Sequence, residues 1–310
     1  MKNVFEMQAL LRKLTSQETN IKTIEVHRAY LMIEQVLAFG TTGALIYGRP
    51  RLGKTRAIKI ITADLAKTFP DMPVFCKYSI KHVPNEKQFY SEMLTVVGLA
   101  AKRTMTGHEM RILLKDAMIA AAEHTKFRRI CLFIDEAQML NLVDYTCLID
   151  LYNLLDHEDI QLSVFLVGQP ELVKQKEAFK IAHQDQIIGR FMMREAEFSG
   201  IRSSESLAHV LNEIDTADNL RGDASSLTEL LYGDSAVNGE TLASIADDLY
   251  EAFLEQNRLA GIRHNDIGMK YIIETLAYLF AQYSDLGLHP AGFPDKDLLL
   301  RCVQSIGYGV

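Results

Sequence analysis

The string GRPRLGKT at residues 48–55 lies between the apolar run Ala44-Leu45-Ile46-Tyr47 and a stretch that reads as helix. It satisfies GxxxxGK[ST], and a strand handing over to a helix is the context that this phosphate-binding loop requires. Gly48 and Gly53 permit backbone conformations that bring successive N–H groups around a polyphosphate. The first turn of the following helix adds unpaired donors and the positive end of its dipole. Lys54 then neutralises β and γ oxygens, and Thr55 offers its hydroxyl to Mg2+. The candidate nucleotide contacts run from Gly48 through Arg49, Pro50, Arg51, Leu52, Gly53, Lys54 and Thr55 to Arg56. The bland alternative is a Gly/Pro turn with an ordinary solvated lysine, which the strand-to-helix position disfavours.

Around this loop the chain alternates in character. Strand-like runs at 43–47, 74–79, 129–134, 161–167 and 195–199 are separated by helical patterns at 54–69, 85–98, 107–124, 139–156 and within 170–193. Five apolar runs separated by helices predict an α/β fold, a mostly parallel sheet covered on both faces. This Rossmann-like αβα domain spans 41–200, after an N-terminal helical segment at 1–40 whose second part, 24–39, is stopped by Gly40. Beyond Gly200 the strand signal fades, and 203–214, 240–258 and 266–284 predict a helical domain over 201–310. The polar stretch DTADNLRGDASS at 215–226 reads as a mobile loop.

A phosphate loop needs an acidic partner for the metal, and RRICLFIDEAQML at 128–140 supplies one. Ile130 to Ile134 form a buried-strand run ending in Asp135 and Glu136, at the carboxyl edge of the sheet where phosphates would lie. Asp135 would hold Mg2+ through water, and Glu136 would orient or deprotonate the water that attacks the γ-phosphate. The strand LSVFLVGQPEL ends in Gln169, placed to bond the γ-phosphate or that water; the alternative is a helix start with Pro170 at its first position. Downstream, Arg190 and Arg194 are candidates for an arginine supplied to a neighbouring subunit's γ-phosphate. Arg190 is preferred because it ends an apparent helix just before the last strand, a surface salt bridge being the alternative.

Taken in order, GRPRLGKT, LFIDEAQML, FLVGQPEL and QIIGRF resemble the AAA+ ATPases, and within them the group that includes the TnsC and TniB ATPases of transposons, the phage Mu target-selection ATPase and ATPases associated with type II secretion. The resemblance covers about residues 24–200. It implies Lys54 and Thr55 on phosphate and Mg2+, Asp135 and Glu136 as the Walker B pair, Gln169 as sensor 1 and Arg190 as an arginine finger acting in trans. Sensor 1 is commonly Asn, Thr or Ser, so Gln169 is a departure. The lid has no evident sensor 2 arginine, with Arg202, Arg221, Arg258 and Arg263 all open. The layout is similar to the transposon members, without the membrane anchor and peptidoglycan-binding region of the secretion-linked ones. The transposon members form ATP-dependent rings or filaments on duplex DNA and recruit a transposase to the target. The other readings are a nucleotide-switched protein adaptor that never touches nucleic acid, and a solitary NTPase.

Charge bears on the choice. With a net charge of -7, the whole-molecule field gives no attraction to nucleic acid or anionic lipid, so any such binding must be local. GLAAKRTMTGHEMR carries Lys102, Arg103 and Arg111 in a region that faces the central channel in the similar proteins. Repeated around an oligomer, these charges would line a positive bore; a solvated loop is the alternative. The cysteines at 76, 131, 147 and 302 form no CxxC pair, which argues against a zinc site or disulfide framework and suits a reducing cytoplasm. No window approaches 18 uninterrupted apolar residues, so neither export nor membrane insertion is expected. No NKxD-type guanine motif is visible, which makes ATP the expected nucleotide.

Overall fold

The computed structural model describes residues 2–16, 19–233 and 237–309. The chain runs α1 (Lys2–Thr15), α2 (Ile24–Ala38), β1 (Gly43–Tyr47), α3 (Lys54–Thr68), β2 (Val74–Tyr78), α4 (Glu86–Val96), α5 (Gly107–Ala122) and β3 (Arg129–Asp135). A 3-10 turn (Ala137–Met139) leads to α6 (Leu142–Asp156), β4 (Gln161–Gly168), α7 (Glu171–Ile181), α8 (Asp185–Phe191) and β5 (Arg194–Glu197). Then come α9 (Ser204–Asp215), α10 (Asp218–Arg221), α11 (Leu227–Leu231), a second 3-10 turn (Leu242–Ile245), α12 (Ala246–Leu259), α13 (Met269–Tyr283) and α14 (Lys296–Ser305).

Among the described residues the five strands form one sheet, in the order β2-β3-β4-β1-β5, and every pairing is parallel. Registers such as Gly43 opposite Val164 and Ala44 opposite Arg194 put β1 inside the sheet. The inner strands carry continuous apolar runs, Ile130–Ile134 in β3 and Val164–Val167 in β4, because helices cover both faces and strict alternation would bury polar groups. Parallel pairing also brings every carboxyl end to one edge, which is what gathers the loops after β1, β3 and β4. Side chains fix where the flanking helices begin. Asn85 accepts from the Gln88 N–H at the start of α4, while Thr106 with Glu109 and Asn141 with Asp144 make reciprocal caps on α5 and α6.

The chain divides into two compact units. Residues 28–49 and 57–198 make the sheet unit; 1–27, 50–56 and 199–310 make the helical unit. The sheet unit is cored by residues such as Leu45, Phe89, Leu114, Leu132, Leu148 and Leu166. The helical unit has its own core, to which α1 contributes Met7, Leu10 and Leu14 alongside Leu211, Phe253, Leu276 and Leu299. Among the described residues no helix is long and apolar enough to cross a membrane.

One expectation needs correcting. The polar stretch 215–226 is tied down rather than loose: Asp215, buried, accepts from the Thr228 N–H at 2.7 Å, the Thr228 hydroxyl at 2.9 Å and the Leu242 N–H at 3.2 Å, and α10 forms within the segment. The carboxylate is there to satisfy backbone donors of α11 and the second 3-10 turn, a use of polarity that resembles a loop in sequence.

Candidate functional site

At the carboxyl edge of the sheet, β1 continues into GRPRLGKT, β3 ends in Asp135 and β4 runs on into Gln169. The Gly48 N–H donates to the Gly168 carbonyl at 3.1 Å, so the loop begins hard against the end of β4. Asp135 is buried, and its Oδ1 accepts from the Glu136 N–H at 2.9 Å. Glu136 sits in the left-handed region, φ 51 and ψ 38, which turns the chain sharply off the strand. Its Oε2 accepts from the side-chain amides of Gln138 at 2.5 Å and Gln169 at 3.2 Å. Gln138 closes the ring by accepting the Gln169 N–H on its Oε1 at 3.0 Å. A Cβ at Gly168 would lie 2.2 Å from Gln138 Oε1, so a larger residue there would push Gln138 out of this ring. Asp135, Glu136 and Gln169 are therefore brought together, with Gln138, which sequence reasoning missed, as the link.

In the helical unit, the remainder of the loop has Arg51 at φ 67 and Gly53 at φ 101, with Lys54 and Thr55 opening α3. Lys54 is only 7% exposed. Arg56 donates to the Thr19 carbonyl, and burial lowers its pKa. The first turn of α13 faces the loop: Arg51 donates to the Tyr271 hydroxyl at 2.6 Å, and Met269 lies 3.7 Å from where a Gly53 Cβ would be. Of the sensor 2 candidates, Arg221 is held by Asp218 and the Ala224 carbonyl. The oxygen donors Thr55 and Asp135 have the hard chemistry that suits Mg2+. Among the described residues no group of three or more His, Cys, Asp or Glu side chains gathers as a metal cage.

Arg190 ends α8, where its guanidinium donates to Asn153 Oδ1 at 2.9 Å and lies 4.9 Å from the centre of the Tyr152 ring. Arg194 opens β5. Lys102 and Arg103 are exposed and line a groove of about 410 Å3 together with Lys87, a third cation not singled out in the sequence. Arg111 does not join them. It bonds Asp150 Oδ2 at 2.8 Å, an oxygen that also accepts from the Tyr90 hydroxyl at 3.0 Å, and burial of Tyr90 raises that phenol's pKa.

The family model described as AAA domain matches residues 39–175, from the end of α2 into α7. The chain's structural likenesses extend past that segment. The ORC2 protein of Aeropyrum pernix, solved in ADPNP–ADP complexes, is 16% identical with a TM-score of 0.50 over 95% of this chain and 71% of that one. Cdc6p from Pyrobaculum aerophilum is 16% identical with a TM-score of 0.58 over 87% of this chain and 65% of its own. At this identity the likeness is one of fold, and this chain spans about two thirds of the length of those proteins. A search of curated proteins finds no significant match. The sheet and its loops thus have the P-loop αβα architecture, with the AAA+ arrangement of strands.

Proposed function

We propose that this chain is an AAA+ ATPase that binds ATP with Mg2+, hydrolyses it at the sheet edge, and assembles on duplex DNA as an ATP-dependent ring or filament in the cytoplasm. The observation that carries the reading is the bonded ring of Glu136, Gln138 and Gln169 beside Asp135, at the edge from which GRPRLGKT departs. Loop amides from Gly48 onward and the Lys54 ammonium would hold the phosphates; Thr55 and Asp135 would hold the cation, which neutralises charge on the β and γ oxygens when bound. Two amide donors occupy Glu136 Oε2, leaving Oε1 to accept a proton from water. The water oxygen bonds to the γ-phosphorus as the bond to the bridging oxygen breaks and ADP leaves. Arg190 of a neighbouring copy would stabilise the spread charge.

The resemblance to the TnsC and TniB group supports a finer reading, that assembly selects transposition targets and recruits a transposase. The groove of Lys87, Lys102 and Arg103 is the proposed phosphate-tracking surface for DNA. Retention on duplex DNA with a non-hydrolysable ATP analogue should fall steeply with salt and be lost in a Lys102→Glu, Arg103→Glu variant. The net charge of -7 favours one competing reading, a protein adaptor, and absence of retention even at low salt would support that reading instead, while retention independent of nucleotide would refute ATP-dependent assembly.

A further inference from the structure

Arg51 is a side-chain-bearing residue at φ 67, in a region where the Cβ crowds the following carbonyl, so its conformation has to be held from outside. The first turn of α13 holds it in three ways. Arg51 Nη1 donates to the Tyr271 hydroxyl at 2.6 Å, and its guanidinium carbon lies 5.6 Å from the Tyr271 ring centre. Gly268 presses so closely on the Arg51 backbone that a Cβ at 268 would come 2.8 Å from the Arg51 carbonyl oxygen. Tyr271 is fixed in turn: its ring meets Tyr308 edge-on at 4.8 Å, and Tyr308 meets Phe253 edge-on at 4.9 Å. The acceptor that Arg51 reaches is therefore anchored in the helical core, while Arg51 itself stands three residues before Lys54 in the loop.

We propose that Tyr271 is a positioning residue for the nucleotide: by clasping Arg51 it keeps the loop in its left-handed turn, so that the amides leading to Lys54 are set for phosphate before phosphate arrives. This rests on the nucleotide reading above. Linkage makes the effect reciprocal, so bound nucleotide stiffens the start of α13. The role resembles that of a lid arginine only in outcome, since here the loop supplies the cation and the lid supplies the acceptor.

The test is calorimetric titration of the full chain with Mg2+ and ATPγS. Tyr271→Phe, which keeps the ring and removes the acceptor, should weaken binding about three- to tenfold, while the melting midpoint without nucleotide moves by less than about 3 °C. Arg51→Gly should bind at least about threefold tighter than Arg51→Ala, because both lose the charge but only glycine takes positive φ without strain. Tyr271→Phe should add nothing in the Arg51→Gly background. The inference is overturned if Tyr271→Phe binds as tightly as the parent, or if its cost is the same with and without Arg51→Gly. Lys54→Ala separates the two levels: a folded parent that binds ATPγS no better than Lys54→Ala refutes the nucleotide reading and takes this inference with it.

Discussion

Glu136 owes its chemistry to its backbone. The left-handed turn at φ 51 swings the side chain off the strand axis and onto two amide donors, which fix one carboxylate oxygen. Glu136→Gln should keep ATP affinity within about twofold while reducing turnover by 10² or more, a range set by loss of a general base. Normal turnover in that variant, measured as phosphate release, would refute the base assignment. Gln138→Ala unties Glu136 from Gln169 and should lower kcat by about tenfold with KM little changed, because the bonds it removes orient the base without touching substrate. The two glutamine roles were not equally legible. Gln169 stood out at the tip of a strand, whereas Gln138 acquires meaning only from a partner 31 residues away. The same distance effect hid the pairing of Arg111, whose acid lies 39 residues downstream.

At the scale of elements, much of the fold could be read directly. Buried parallel strands have to be apolar on both faces, so runs such as ICLFI and LSVFLV announce themselves, and the intervening helices show their period. Strand order could not be read, because nothing local in β1 says that β4 and β5 will flank it. The 215–226 segment fails for a related reason: Asp215 serves amides 13 and 27 residues further on. Asp215→Ala should cost about 3 kcal/mol by denaturant unfolding, since three buried donors lose their acceptor. A second element-level prediction concerns acid. Burial by itself would push the Glu92 carboxyl up, but bonds from the buried Lys77 ammonium at 2.6 Å and from Gln88 at 2.9 Å outweigh it and hold the pKa below the ordinary 4.5. A depressed carboxyl contributes stability above its unfolded pKa and loses it as pH falls through the folded value. The link between β2 and α4 should weaken below 4.5, and Glu92→Gln should flatten that acid limb in melting experiments.

For the whole molecule, the decisive question is whether active sites are shared between copies. Arg190 lies on its own chain's Tyr152 and Asn153, an arrangement that presents the guanidinium at a fixed place without committing it to its own phosphate site. Neither Arg190→Ala nor Glu136→Gln should hydrolyse ATP alone, yet an equimolar mixture should regain a measurable fraction of parental phosphate release, since mixed seams pair an intact base with an intact arginine. A mixture as inert as its parts would refute sharing. The sequence disclosed the class of molecule through a motif whose spacing phosphate geometry imposes, but the assembly it joins is written in surfaces that no local pattern records. The placement of β1 has a last consequence, for biosynthesis. Its two neighbours come from residues 161–168 and 194–197, so a nascent chain emerging from the ribosome carries the phosphate loop on a strand with both edges bare until the sheet is nearly translated. During that interval the proposed nucleotide site is unfinished, and prompt pairing by the last strands limits how long the bare edges stay exposed.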